Sequence, residues 1–85
     1  MAESTFQALT AATVPALWQE RHTLFKEDSV DLGSLKEVDS AGIAFLVQWA
    51  KALSQGYLTL VNAPEAALKL ISTFRLEDLL RKTAA

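Results

Sequence analysis

Two short stretches alternate apolar and polar residues, Ser29-Val30-Asp31-Leu32 and Tyr57-Leu58-Thr59-Leu60-Val61, and they flank a helix-length run that does not alternate. This order constrains the chain more than any other feature. Alternation with period two reads as a strand with one buried face, so Val30 and Leu32, and then Leu58 and Leu60, are expected to point inward. Gly33-Ser34 turns the chain after the first stretch. From Ser40 to about Ser54 the pattern is helical, and Gln55-Gly56 supplies the glycine that commonly ends a helix. A helix of that length between two strands is the crossover that parallel neighbours require.

The flanking segments continue the alternation of element types. Helical spacing of Val14, Leu17, Trp18, Leu24 and Phe25 predicts a helix over about 13–26, with Thr10 or Thr13 as N-cap and Pro15 in its first turn. Before it, Thr5 to Leu9 reads as one short strand. Asn62-Ala63-Pro64-Glu65 opens a helix that runs to Phe74, with Ala67, Leu68, Ile71 and Phe74 as its core stripe, and Arg75-Leu76 breaks it. Glu77-Asp78-Leu79-Leu80 suggests a last short helix fading into residues 82–85. The result is one α/β domain over residues 1–85: a small, largely parallel or mixed sheet with helices mainly on one face, because strands covered on both faces would be continuously apolar.

Composition excludes several functions. With no cysteine there can be no disulfide, thiolate zinc site, iron–sulfur cluster or cysteine nucleophile, and a reducing, cytoplasmic setting is expected. Residues 1–5 show no basic stretch leading into an apolar run, and no segment approaches the ~20 apolar residues of a membrane span, so neither export nor direct membrane insertion is expected. Eight Lys and Arg against ten Asp and Glu give a formal charge of −2, the wrong sign for a chain devoted to phosphate contact, so nucleic acid is not an expected partner.

The inventory for catalysis is thin. His22 is the single histidine, set among Gln19, Glu20, Arg21 and Lys26 on a polar stretch that suits a solvated helix face better than a metal site. The acid pairs Glu27-Asp28 and Glu77-Asp78 are adjacent, which points their side chains apart. The three glycines are dispersed and form no phosphate-cradling loop. No catalytic residue, metal ligand or cofactor is expected, and the chain reads as a binding module.

The segment that combines polarity with placement is Glu37-Val38-Asp39-Ser40-Ala41-Gly42, where an extended stretch hands over to the longest apolar helix. Either Asp39 or Ser40 can cap that helix, and Gly42 permits close packing of its first turn. At roughly 100° per residue, Ile43, Leu46, Val47, Ala50 and Leu53 share one face, while Ala41, Phe45, Trp49 and Ala52 gather on the other. A helix apolar nearly all round is either buried or carries a second contact surface. The second option makes Asp39, Ser40, Ala41, Gly42, Phe45 and Trp49 the expected partner-binding residues, with Phe45 and Trp49 as aromatic anchors.

These residues resemble a known family. Val30-Asp31-Leu32 followed by Val38-Asp39-Ser40-Ala41-Gly42-Ile43 is similar to the signature of STAS domains, the anti-sigma-factor-antagonist fold. Leu60-Val61-Asn62-Ala63-Pro64-Glu65, together with Phe74-Arg75-Leu76-Glu77-Asp78-Leu79-Leu80, looks most like the MlaB branch, the STAS subunits of Mla-type phospholipid-transport ABC complexes. The resemblance implies a small accessory subunit, cytoplasmic and peripheral to the inner membrane, that binds an MlaF-like ATPase and supports outer-membrane lipid asymmetry. In the antagonist branch it implies instead an anti-sigma kinase as partner and phosphorylation at the position of Ser40. Family members usually open with a two-stranded hairpin, so the single short strand here implies a shortened N-terminal strand region, and the Gly33-Ser34 turn reverses the family's usual order of small residues.

Overall fold

The computed structural model describes residues 6–83, so the part of the first predicted strand at Thr5 and the last two residues of the predicted C-terminal helix lie outside it. Among the described residues the order is β1 (Ala8–Leu9), α1 (Val14–Gln19), α2 (Arg21–Leu24), β2 (Ser29–Asp31), β3 (Glu37–Val38), α3 (Ser40–Ala52), β4 (Leu58–Val61), α4 (Glu65–Thr73) and β5 (Leu80–Lys82). Every strand pair is parallel. They form two small sheets, β1 beside β3 and β2-β4-β5 with β4 in the middle, where one sheet was expected.

Register follows the alternation read from the sequence. Val30 pairs with Leu60 and Leu58 with Leu80, so the inward residues of three strands stack on one face. Val30, Leu32, Leu58 and Leu60 have no exposed surface, whereas Thr59 and Val61 on the other face are half-buried, the signature of a sheet covered mainly on one side. Helix α3 lies over this core and touches β1, β3, β4, β5, α1 and α4.

Three expectations about element boundaries are corrected. The predicted first helix is two short ones, interrupted at Glu20, whose backbone (φ −98°, ψ 9°) leaves the helical region. Helix α3 ends at Ala52 rather than near Ser54, and Gly56 (φ 81°) serves the turn after it, its amide donating to the Leu53 carbonyl at 3.0 Å. The predicted C-terminal helix is a turn leading into β5. Its backbone is recruited by the edge of β4: the Leu58 amide donates to the Leu79 carbonyl at 2.8 Å and the Thr83 amide to the Leu60 carbonyl at 3.0 Å. Tertiary pairing with the otherwise open edge of β4 overrides a weak local helical preference.

At the end of α4 the chain reverses sharply. Phe74 is the C-cap and Arg75 takes a left-handed conformation (φ 56°). The Leu76 amide donates to the Ile71 carbonyl at 2.9 Å and the Arg75 amide to the Ser72 carbonyl at 3.1 Å, a Schellman ending with arginine where glycine is usual. The reversal carries Leu76 back onto the core and leaves Phe74, which helical period assigns to the core stripe, 50% exposed.

Candidate functional site

The start of α3 is fixed by two close approaches. Asp39 is the N-cap: its Oδ1 accepts from the Gly42 amide at 3.1 Å, which settles the choice of cap left open by the sequence. Its Oδ2 accepts from the Ala11 amide at 3.1 Å, tying the loop before α1 to the start of α3. These donors, Ala11 first and then Gly42, with a smaller part from Ala41, hold the Asp39 carboxyl below the usual carboxylate range against the opposing effect of burial. The Asp39 amide in turn donates to the Leu9 carbonyl at 3.1 Å.

Gly42 is buried one turn into the helix, facing β1. A Cβ at this position would overlap the Leu9 carbonyl oxygen and lie 2.7 Å from the Leu9 Cβ, so only glycine allows α3 to seat this closely. Within the predicted Asp39-Ser40-Ala41-Gly42 segment, Asp39 and Gly42 therefore have structural roles. Ala41 is half-buried, and Ser40 is the exposed member.

Phe45 and Trp49 do not form an open surface. They are 2% and 0% exposed, which corrects the expectation that they await a partner. The cover comes from the chain itself: the Phe25 ring, just past α2, stacks on Trp49 (centroids 5.6 Å apart, planes at 27°) and leans on Phe45 at 5.6 Å. Trp49 also donates its indole N–H to the Glu27 carbonyl at 2.8 Å. The apolar circumference of α3 is thus explained by two internal packing partners, the sheet on one side and the α1–α2 segment on the other.

What α3 leaves open is a narrow strip through Ser40, Ala44, Gln48 and Lys51, one turn apart. Beside its N-terminal half lies a mainly apolar groove of about 310 Å³, lined by Ile43, Ala44 and Val47 from α3 and by Phe74 and Leu76 from the turn after α4, with the polar Ser40 and Gln48 also bordering it. Sequence reasoning missed Phe74 and Ala44 as surface residues and the half-buried Leu76 as part of the groove wall. Helical period places Phe74 on the core stripe of α4, and only its position at the very end of the helix, just before the Arg75 reversal, could have suggested otherwise.

Among the described residues no cluster of His, Asp or Glu could hold a metal ion, and no helix is long and apolar enough to cross a membrane. His22 is exposed on α2. Ser40 stands exposed beside an apolar groove, a concave and mainly apolar surface of the kind that binding partners fill.

No curated protein and no solved structure matches the chain. A family model described as "Mlab, STAS domain" matches residues 7–81. The match covers both the Asp39–Gly42 helix start and the α4–β5 turn that build the groove, and its family is one of generally non-catalytic binding and regulatory domains. The chain belongs to the STAS domain family, of the MlaB-like kind.

Proposed function

We propose that this chain is a non-catalytic accessory subunit that docks on the ATPase of an Mla-type phospholipid-transport ABC complex, through Ser40 and the groove between α3 and the α4–β5 turn. The observation that supports the reading is the coincidence of three features in one place. Ser40 is exposed at the first position of α3, relieved of capping by Asp39. The groove beside it is apolar, and its far wall carries Phe74, the most exposed large hydrophobic side chain among the described residues. An aromatic in a concave, mainly apolar surface edged by the polar Ser40 and Gln48 is the composition of a protein-docking hot spot. Asp39 and Gly42 act indirectly, by fixing where Ser40 stands. Through such a partner the subunit would sit at the cytoplasmic face of the inner membrane and contribute to lipid asymmetry.

The exposed Ser40 hydroxyl also favours a second reading, an anti-sigma-factor antagonist switched by phosphorylation. A phosphate there would gain from the positive end of α3 but would bring ~−1.5 to −2 charge units against an apolar groove beside the Asp39 carboxylate, so it would release the partner. Co-expression with the ATPase from the same gene neighbourhood and, separately, with an anti-sigma kinase separates the two. A stoichiometric complex with the ATPase that survives gel filtration and is lost in Phe74→Asp supports the transport reading; retention of the kinase alone, with transfer of phosphate to Ser40, replaces it.

A further inference from the structure

Past Gln48 the open strip of α3 borders a second groove, of about 480 Å³, between α2 and the C-terminal half of α3. Its walls carry Trp18, Arg21, His22, Phe25, Lys26 and Lys51, and among the described residues no carboxylate lines it. Three of the eight Lys and Arg residues of a chain whose formal charge is −2 thus converge on one concavity, a local reversal of the overall sign. Lys26, in the turn after α2, and Lys51, on α3, are both exposed. Trp18 is 37% exposed, and its ring is held in place by the Arg21 guanidinium, 4.4 Å from its centroid, and by the edge of Phe25 at 6.1 Å. Arg21 also donates to the Trp18 carbonyl at 2.8 Å, so the cation and the ring form one rigid wall.

We propose that this groove is a docking site for an acidic segment of a partner protein that also offers an apolar or aromatic side chain to Trp18. Cations without a lining acid attract carboxylates and set the orientation of the encounter. The Trp18 wall supplies the apolar contact that charge alone does not. A bilayer surface fits the geometry less well, since membranes are met by extended amphipathic helices with a projecting apolar face, whereas α2 has four residues and Trp18 stands on the side of a hollow. Glu20 and Asp28 are exposed on the same segment without lining the groove, and a uniformly anionic surface would meet them, while a short acidic segment lying in the groove would not. The proposal goes beyond the Ser40 docking reading and needs neither Ser40 nor the ATPase, although Gln48 borders both grooves and lets one partner span them.

The test is selection of a random dodecapeptide display library on the purified full chain, then titration of the strongest synthetic peptide by tryptophan fluorescence. Trp49 is sealed in the core, so Trp18 is the responsive fluorophore, and Trp18→Phe should remove the signal. The expected result is peptides enriched in Asp and Glu with a neighbouring Phe, Trp or Leu, bound about tenfold or more weakly by Lys26→Glu/Lys51→Glu. That double variant should melt as the parent does, because both side chains are exposed, and Ser40→Glu should leave peptide affinity unchanged. Recovery of no peptides, of peptides without acidic enrichment, or of peptides that bind the charge-reversed variant equally well overturns the proposal. So does sedimentation with phosphatidylglycerol vesicles, abolished by the same reversal, in the absence of acidic peptides.

Discussion

The indole N–H of Trp49 donates to the backbone carbonyl of Glu27 at 2.8 Å, across 22 residues of sequence, and this bond locks α3 to the end of the α1–α2 segment. Because the ring is also stacked on Phe25 and has no exposed surface, Trp49 serves the fold.

Trp49→Asp and Phe45→Asp should therefore unfold the domain as Leu46→Asp does, since a buried carboxylate with no partner costs several kcal/mol in a fold whose whole stability is on the order of 5–15 kcal/mol. Trp49→Phe, which keeps most of the stacking, should cost about 1–2 kcal/mol through the lost hydrogen bond and the smaller ring. Urea denaturation followed by circular dichroism gives both values. A folded Trp49→Asp with an unchanged midpoint would contradict the burial of this face.

Gly42 presents two opposed effects of known size. Alanine is favoured over glycine in a helix by about 1 kcal/mol, but at Gly42 the added methyl meets the Leu9 carbonyl, backbone that cannot rotate away. Overpacking of this kind costs about 1–3 kcal/mol and more where backbone must shift. Gly42→Ala should therefore destabilise by about 2 kcal/mol in thermal or urea melts, opposite in sign to the propensity scale.

Asp39 gives a pH dependence of definite sign. Its folded-state pKa lies below the ordinary value because the carboxylate accepts from the Ala11 and Gly42 amides. Its contribution to stability is thus complete above the unfolded Asp pKa of about 3.9 and is lost as pH falls through that value to below the folded one. Asp39→Asn can still cap α3 through one oxygen but loses the charge and the bond to Ala11. The midpoint of unfolding should fall less steeply below about pH 4 in Asp39→Asn than in the parent. Identical acid limbs would remove Asp39 as a source of acid lability.

Strands β2 and β4 were legible because Val30-Asp31-Leu32 and Leu58-Thr59-Leu60 alternate, and α3 and α4 because their starts and stripes are local properties. Strand β3 was not, because Glu37-Val38 is two residues long and gains extended structure only by pairing with Ala8-Leu9. Strand β5 was not, because Leu80-Arg81-Lys82 owes its conformation to the edge of β4. The same distinction governs the site. Sequence identified the Asp39–Gly42 helix start, and Ser40 within it, from residue type and position alone. It could show that α3 is apolar all round, but the residue that covers Phe45 and Trp49 is Phe25, brought there by the tertiary path of α1 and α2. Phe74 was misplaced for a different reason: periodicity assigns a face as though the helix continued, whereas Phe74 is the cap at which the chain reverses through Arg75.

At the rim of the groove beside Ser40, stability and the proposed binding should separate. Arg75 occupies a left-handed conformation that costs a side-chain-bearing residue about 1–2 kcal/mol relative to glycine. Glycine loses more chain entropy on folding, which offsets roughly half of this gain. Arg75→Gly should thus raise stability by about 0.5–1 kcal/mol while preserving the Schellman bonds from Arg75 to Ser72 and from Leu76 to Ile71 that carry Phe74 to the groove. Affinity for the ATPase should be unchanged. Phe74→Asp should do the reverse: its ring is half exposed, so melting should move little, whereas binding should weaken by about 2 kcal/mol or more if Phe74 is a hot spot. Ser40→Glu should resemble Phe74→Asp, because it brings a charge to the same groove, and Ser40→Ala should have a small effect, losing one hydroxyl contact of about 1 kcal/mol. Melting curves and titration calorimetry of the four variants against the ATPase decide the matter. Unchanged affinity in both Phe74→Asp and Ser40→Glu would move the docking surface off this groove.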